Sequence, residues 1–408
     1  GWEPQYVMIK CSSFESGTTT SWNIFDDLRG MRHNGASTNK KSRIWADGNW
    51  GEDENRGPEA TPTGFTVRDD TNYCNANNET YIFIAIRRSD GDVGRPQSAK
   101  KLFGMDYGGA QTNSESSNNF DTKPVFDTQF APDFRMYKQY GSTGPASWED
   151  DWWISDKKLM PGNVKSNVDG NEVTGSWTYM DSSRGSGINW ESKYIGHLWK
   201  RHAGFDVVHY IGDGVSGRQL HHNLGSNNTP EMIWIKRMSG GSGNTGDWMV
   251  GHIGLNSGST PWNYYLVLNK TQEEKTDFQP FGIPTSTYFN IGNSDRVNNN
   301  GDRYVAYLFS SVTGVSSIGH YTGTGSQLTI NCGFVPRYIM VKKVSTGGNW
   351  AAHDSLRGYD TSASPYLNYA GTEEQYSGYD GVQPQTNAFS VNNWASGSGI
   401  RFIYYAHA

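Results

Sequence analysis

Charge is scarce in this chain. Only 19% of its 408 residues are Asp, Glu, Lys or Arg, and the net charge of −6 is spread along the sequence. No basic stripe stands out of the kind that tracks phosphates, so nucleic acid is not expected as a partner. Long apolar runs are also missing, so no membrane insertion is expected. Cysteine is limited to Cys11, Cys74 and Cys332. An odd count excludes a full disulfide framework and the spacing suggests no zinc site, so free thiols are expected, although Cys11 and Cys74 fall in one unit and are able to pair. There is no Gly-x-Ser-x-Gly elbow, phosphate loop or His-Glu-x-x-His, so no catalytic residue, cofactor or enzymatic activity is assigned.

What is abundant is glycine, at 49 residues, with 15 Trp, 23 Tyr and 17 Phe. Gly, Asn, Ser and Thr between aromatic runs suit short strands joined by many turns. A chain this long exceeds one β core, and internal repeats are the first thing to seek. A Pro followed six residues later by Lys occurs four times, as Pro4–Lys10, Pro132–Lys138, Pro230–Lys236 and Pro336–Lys342. Each segment reads as a strand entered from a turn. A second anchor follows each: Trp22 with Asp26, Trp152 with Asp156, Trp248 with His252, and Trp350 with Asp354. A third is an aromatic on a short strand: Phe65, Trp177, Phe289 and Phe389. The fourth is a closing strand beginning at Tyr81, Tyr194, Tyr304 and Phe402. A competing match of Trp177, Asp181 and Arg184 to Trp22, Asp26 and Arg29 fails on spacing, because Tyr194 then follows too soon.

These anchors predict an all-β chain of tandem antiparallel β-sandwich units, jelly-roll or Ig-like, at residues 1–96, 97–203, 204–313 and 314–408. About seven strands are expected per complete unit, with no helix of three turns. His209-Tyr-Ile-Gly and Gly217–Gly225 of the third unit match His320-Tyr-Thr-Gly and Gly325–Gly333 of the fourth. Gly1 aligns with Gly225 and Gly333, so the first unit is expected to lack its first two strands within these residues, as part of a larger parent protein.

The repeated Lys10, Lys138, Lys236 and Lys342 and the repeated Trp read as scaffold, with each Trp an anchor of its sandwich core. The Asp four residues on reads as a turn brace. His209, His221, His222, His252 and His320 are candidates for metal, but strand alternation sends His221 and His222 to opposite faces, and no metal is expected. Acidic runs at Glu149–Asp151 and Asp90–Asp92 lack a complete calcium loop and read as solvated turns. Trp45, Trp50, Trp148, Trp190, Trp262 and Trp394 stand among Asn, Gly and Asp in expected loops. Flat apolar rings beside short polar groups suit glycan C–H faces and hydroxyls, and equally suit protein partners.

Gly333–Lys342, Trp350–Arg357 and Phe402–Ala406, with Gly1–Lys10, Trp22–Arg29 and Tyr81–Arg87, spell one pattern: Gly-Phe-x-Pro-x-Tyr-x-Met-x-Lys, Trp-x-x-x-Asp-x-x-Arg, then a strand like Tyr-Ile-x-x-Ala. It resembles an uncharacterised repeat domain of tailed-phage virion proteins, especially those of marine cyanophages. The second unit departs from it at Tyr137 and lacks the Arg, and Trp248–His252 lacks both Asp and Arg. The resemblance implies a virion or extracellular location and a tail-fibre or surface-appendage role. It implies host-surface glycans or other virion proteins as partners, and by analogy a homotrimer. A glycan depolymerase on a sandwich scaffold and a cellular surface adhesin or filament subunit are the alternatives.

Overall fold

The computed structural model describes residues 1–13, 21–29, 31, 41–55, 57–67, 74–88, 98–108, 125–139, 151–160, 162–173, 178–180, 183–188, 194–240, 243–359, 364–372, 376 and 381–408. The chain is all-β, built of antiparallel sheets with 45% strand and no closed barrel. Among the described residues its helical content is short turns, such as the α-helix Asp295–Asn298.

The third unit shows the plan. Its first strand Phe205–Ile211 pairs with the closing strand Arg303–Phe309, which pairs with the third strand Met232–Arg237. Met249–His252 and Leu266–Val267 complete this five-stranded sheet. The second strand Arg218–His221 pairs with Tyr288–Ile291, and that with Phe281–Gly282, forming a three-stranded sheet. Alternation along each strand gives every sheet two distinct faces. Ile233, Ile235, Ala306 and Leu308 of the large sheet meet Phe281, Phe289 and Ile291 of the small one in a closed core. The fourth unit repeats this, from Ser316–Thr322 to Arg401–His407, and the second from Phe103–Gly108 to Tyr194–Trp199. Gly217 and Gly325, matched in sequence, both take φ near +80° before the second strand, a conformation that favours glycine (+75° and +81°).

Two expectations change. Among the described residues a complete unit has eight strands rather than seven, the addition being the sixth, Phe281–Gly282 in the third unit, Thr178–Tyr179 in the second and Val382–Gln385 in the fourth. In the second unit the seventh strand is Gly185–Ile188, so the position of Phe289 is taken there by Ser186, not by an aromatic. Trp177 lies outside the described residues. The Ser186 hydroxyl instead accepts from the buried guanidinium of Arg135 at 2.6 Å, and Arg135 stands where Val7, Ile233 and Ile339 stand in the other units.

The first unit has a five-stranded sheet in the order Asp53–Asn55, Lys41–Trp45, Asn23–Asp26, Pro4–Cys11, Tyr81–Arg87, with a separate hairpin of Glu59–Thr61 and Gly64–Thr66. Its closing strand is an outer strand: among the described residues it pairs only with Pro4–Cys11. In the other three units the closing strand lies between the first and third strands.

Candidate functional site

The repeated Lys and Trp lie on the face of each large sheet that points away from its small sheet. Lys342 pairs in register with Trp350, and the ammonium sits 5.8 Å from the indole centre. Lys236 over Trp248 (5.7 Å) and Lys10 over Trp22 (5.5 Å) repeat the contact. In the second, third and fourth units this face is covered by another unit. Trp152 Nε1 of the second unit donates to the Asn368 carbonyl of the fourth at 2.9 Å. Trp350 Nε1 of the fourth donates to the Val267 carbonyl of the third at 3.1 Å. Trp248 Nε1 of the third donates to the Lys165 carbonyl of the second at 2.7 Å. The three indoles therefore close a ring in which each reaches the fifth strand of the next unit.

The lysines follow the same circuit. Lys138 Nζ donates to the Thr372 carbonyl at 2.7 Å, Lys236 Nζ to that of Val168 at 3.5 Å, and Lys342 Nζ to those of Thr271 and Gln272 at 3.2 and 2.9 Å. Burial pushes both Lys236 and Lys342 down to about 7. The fourth-strand carboxylates and His252 lock the ring in the opposite direction. Asp156 accepts from His209 Nε2 at 2.9 Å and from the Tyr307 hydroxyl at 2.8 Å, both of the third unit. Asp354 meets His197 Nε2 of the second unit at 3.2 Å, and the other nitrogen of that ring meets the Tyr369 hydroxyl at 2.9 Å. His252 Nε2 reaches the Tyr404 carbonyl of the fourth unit at 3.4 Å. Burial opposes the charge on Asp354, but Arg357 and His197 override it and hold the carboxyl well below the usual carboxylate range. The same residues brace their own turns: Asp26, Asp156 and Asp354 accept the amides of Arg29, Leu159 and Arg357 at 2.9, 3.0 and 2.9 Å.

One apolar core results, shared by all three units and containing Trp152, Trp199, Trp234, Trp248, Tyr307 and Trp350. The expectation that each Trp anchors the core of its own sandwich is corrected. Strand alternation carries it to the opposite face, where a neighbouring unit buries Trp152, Trp248 and Trp350 while Trp22 stays half-exposed. Two ion pairs of the ring carry no sequence signal that isolates them: Arg303 with Glu172 (2.6 Å) joins the third unit to the second, and Arg401 with Glu274 joins the fourth to the third.

The first unit stands outside the ring and is held by a buried charge cluster. Arg201 clasps Glu3 through both terminal nitrogens at 2.6 Å and Asp206 through Nε at 2.6 Å. Lys158 adds a contact to Glu3 at 2.9 Å. Burial by itself raises the Glu3 pKa, but the charges of Arg201, Lys158 and Arg88 outweigh it and hold the carboxyl well below its ordinary value. Lys10, Trp22 and Asp26 of this unit remain half-exposed.

The six loop tryptophans part company. Trp50 is 55% exposed and meets half-buried Trp45 edge to face, with ring centres 5.4 Å apart. The Arg43 guanidinium lies over Trp45 at 4.7 Å. Trp262 is corrected: at 7% exposure it packs in the third unit's sandwich core against Phe281 and offers no contact face. The turn Pro261–Asn263 folds it inward. Trp394 is half-buried, stacked on His353 at 6.0 Å and tilted against Tyr366 at 5.3 Å. Trp148 and Trp190 lie outside the described residues, as do Glu149, Asp150, Asp90 and Asp92.

The histidines disperse. His209 and His252 belong to the ring locks, His222 meets the Thr285 carbonyl at 3.0 Å, and His221 and His320 are exposed. Among the described residues no group of three or more His, Cys, Asp or Glu is placed to hold a metal ion, and no helix is long and apolar enough to cross a membrane. Cys11, Cys74 and Cys332 are not joined in a disulfide.

A family model, that of a domain of unknown function, DUF7483, matches residues 198–408, just over half of the chain. The chain belongs to this family. The match runs from the end of the second unit's closing strand through the third and fourth units, so it takes in two sandwiches of the ring together. No curated protein and no solved structure matches the chain.

Proposed function

We propose that this chain is a non-enzymatic structural and adhesive protein of a tailed-phage virion, a tail fibre or surface appendage. The observation that carries the structural half is the ring: the repeated Lys, Trp and Asp or His are taken up in bonds between units. Side chains able to do chemistry are there committed to assembly, which suits a part that bears load or spaces other parts. The likeness of the repeat to phage virion domains supplies the setting. Trp45 and Trp50, on the unit outside the ring, are the contact for a host-surface glycan. An exposed indole beside a second ring and a guanidinium offers an apolar plane with polar edges.

Two measurements test this. Mass spectrometry of purified phage particles should find the protein in the particle, and its recovery only from particle-free cells would overturn the virion assignment. A glycan array should show binding by the wild type that Trp50→Ala abolishes. Binding by neither protein would remove the adhesive half, and release of sugar from a bound polysaccharide would turn the reading to a depolymerase.

A further inference from the structure

We propose that the second unit binds an oxyanion, a carboxylate, sulfate or phosphate group, inside its sandwich, on the side edge of the Arg135 guanidinium. Arg135 pairs in register with Leu198, as Ile233 pairs with Leu308 and Ile339 with Ala406. It therefore stands where the other units carry an aliphatic side chain between their two sheets, and it is wholly buried. One of its nitrogens is engaged: Nη1 donates to the Ser186 hydroxyl at 2.6 Å and to the Gly187 carbonyl at 2.7 Å. The Tyr137 ring lies under the guanidinium, 4.7 Å from its carbon. Nε and Nη2 are buried as well and have no hydrogen-bond partner. Among the described residues no Asp or Glu pairs with this charge, and burial pushes its pKa down to about 10.

The two nitrogens left bare define the ligand. Nε–H and Nη2–H leave one edge of the guanidinium plane side by side, parallel donors at the spacing of two oxygens of a carboxylate, sulfate or phosphate. A buried ion without a partner is costly, and what offsets the cost is an opposite charge in hydrogen-bonding contact. The Tyr137 ring and the two acceptors on Nη1 leave that edge unserved. A water accepts a hydrogen bond there but brings no charge. The surrounding core is altered to match. Ser186 stands where Phe289 and Phe389 place rings, and Gly108 stands where Tyr210 and Tyr321 do. Phe126 takes up the room over Gly108 and Gly196, while the Ser186 hydroxyl turns to Arg135. The second unit has thus exchanged an aliphatic and an aromatic side chain of the other cores for a cation and a hydroxyl. As scaffold the exchange weakens the sandwich; as a site it supplies a preformed fork in a dry setting, where charge-assisted hydrogen bonds are strong.

Scanning calorimetry of the whole chain tests this, after exhaustive dialysis into chloride buffer. Sulfate, phosphate, acetate and glucuronate are each titrated in at constant ionic strength and equilibrated before heating, because the guanidinium is closed off from solvent. A bound anion raises the ring transition with the logarithm of its concentration, by about 4 °C at about 100 times its dissociation constant. Sulfate and phosphate also stabilise proteins without binding. The same titrations on Arg135→Ile, which carries the residue of the third and fourth units, give that background. The wild type is expected to rise above it with at least one of the four anions. A rise with sulfate or phosphate assigns the site to a free inorganic anion. A rise confined to acetate and glucuronate assigns it to the carboxylate of an organic ligand. Equal responses of wild type and Arg135→Ile to all four overturn the proposal. If Arg135→Ile does not fold, Arg135→Met, unbranched and neutral, gives the background instead. The glycan reading is independent, because Trp50 lies in the first unit and its binding is measured on arrays.

Discussion

Replacing Trp350 by Phe separates a shared core from three independent ones. The substitution removes the indole N–H that donates to the Val267 carbonyl at 3.1 Å across the unit boundary. Loss of one such bond costs about 1 kcal/mol. The smaller ring leaves about 40 Å² of apolar contact unmade at ~25 cal/mol/Å², about another 1 kcal/mol before cavity effects. The total is about 2 kcal/mol. Its consequence for melting depends on how much of the chain unfolds together. Entropy of unfolding is ~2.1 cal/mol/K per residue, so a ring of roughly 300 residues shifts by about 3 °C, whereas a lone unit of roughly 100 residues shifts by about 10 °C. Differential scanning calorimetry reads the difference. A single ring transition is expected, displaced by about 3 °C alike for Trp152→Phe, Trp248→Phe and Trp350→Phe. A split endotherm, in which only the substituted unit melts early and by about 10 °C, would refute the shared core.

Other outcomes follow from the same geometry. Glu3→Gln leaves the buried Lys158 ammonium without the Glu3 carboxylate and Arg201 with Asp206 in place of two carboxylates, and is expected to destabilise the first unit's junction by about 3 kcal/mol, read by denaturant unfolding. In the wild type the Glu3 pKa is lower folded than its unfolded value of 4.5. Its stabilisation is therefore complete above that value and declines as pH falls below it, which a pH series of melting temperatures should show and Glu3→Gln should flatten. Lys236 and Lys342 behave in the opposite sense. Burial lowers both to about 7, so between there and the ordinary lysine value of 10.5 the unfolded chain binds more protons, and ring stability should rise with pH across that window. Lys236→Met with Lys342→Met should remove the rise in the same melting series. Trp50→Ala, at an exposed site, should leave the melting temperature unchanged within about 0.5 kcal/mol of stability.

The Pro-to-Lys spacing and the alternation around it are enough to read strands, sheets and a common scaffold from the sequence. A period of two dictates that Trp350 and Lys342 share a face, because cross-strand partners point the same way. It says nothing of what covers that face. A sandwich buries one side of each sheet by itself, and only the tertiary arrangement decides whether the other meets water or a second unit. That is why the buried Trp248 and the half-exposed Trp22 look alike in sequence, and why the part Trp248 plays in the ring was not legible. Loop context misled in the same way at Trp262. Its Pro-Trp-Asn setting resembles that of an exposed turn, yet the turn folds the ring onto Phe281. Trp50 in a similar setting stays in solvent. The distinction rests on what surrounds each side chain in space, and local composition does not encode it. The repeat and its two-faced strands belong to the sequence; the ring and the one unit left outside it belong to the packing of units far apart in the chain.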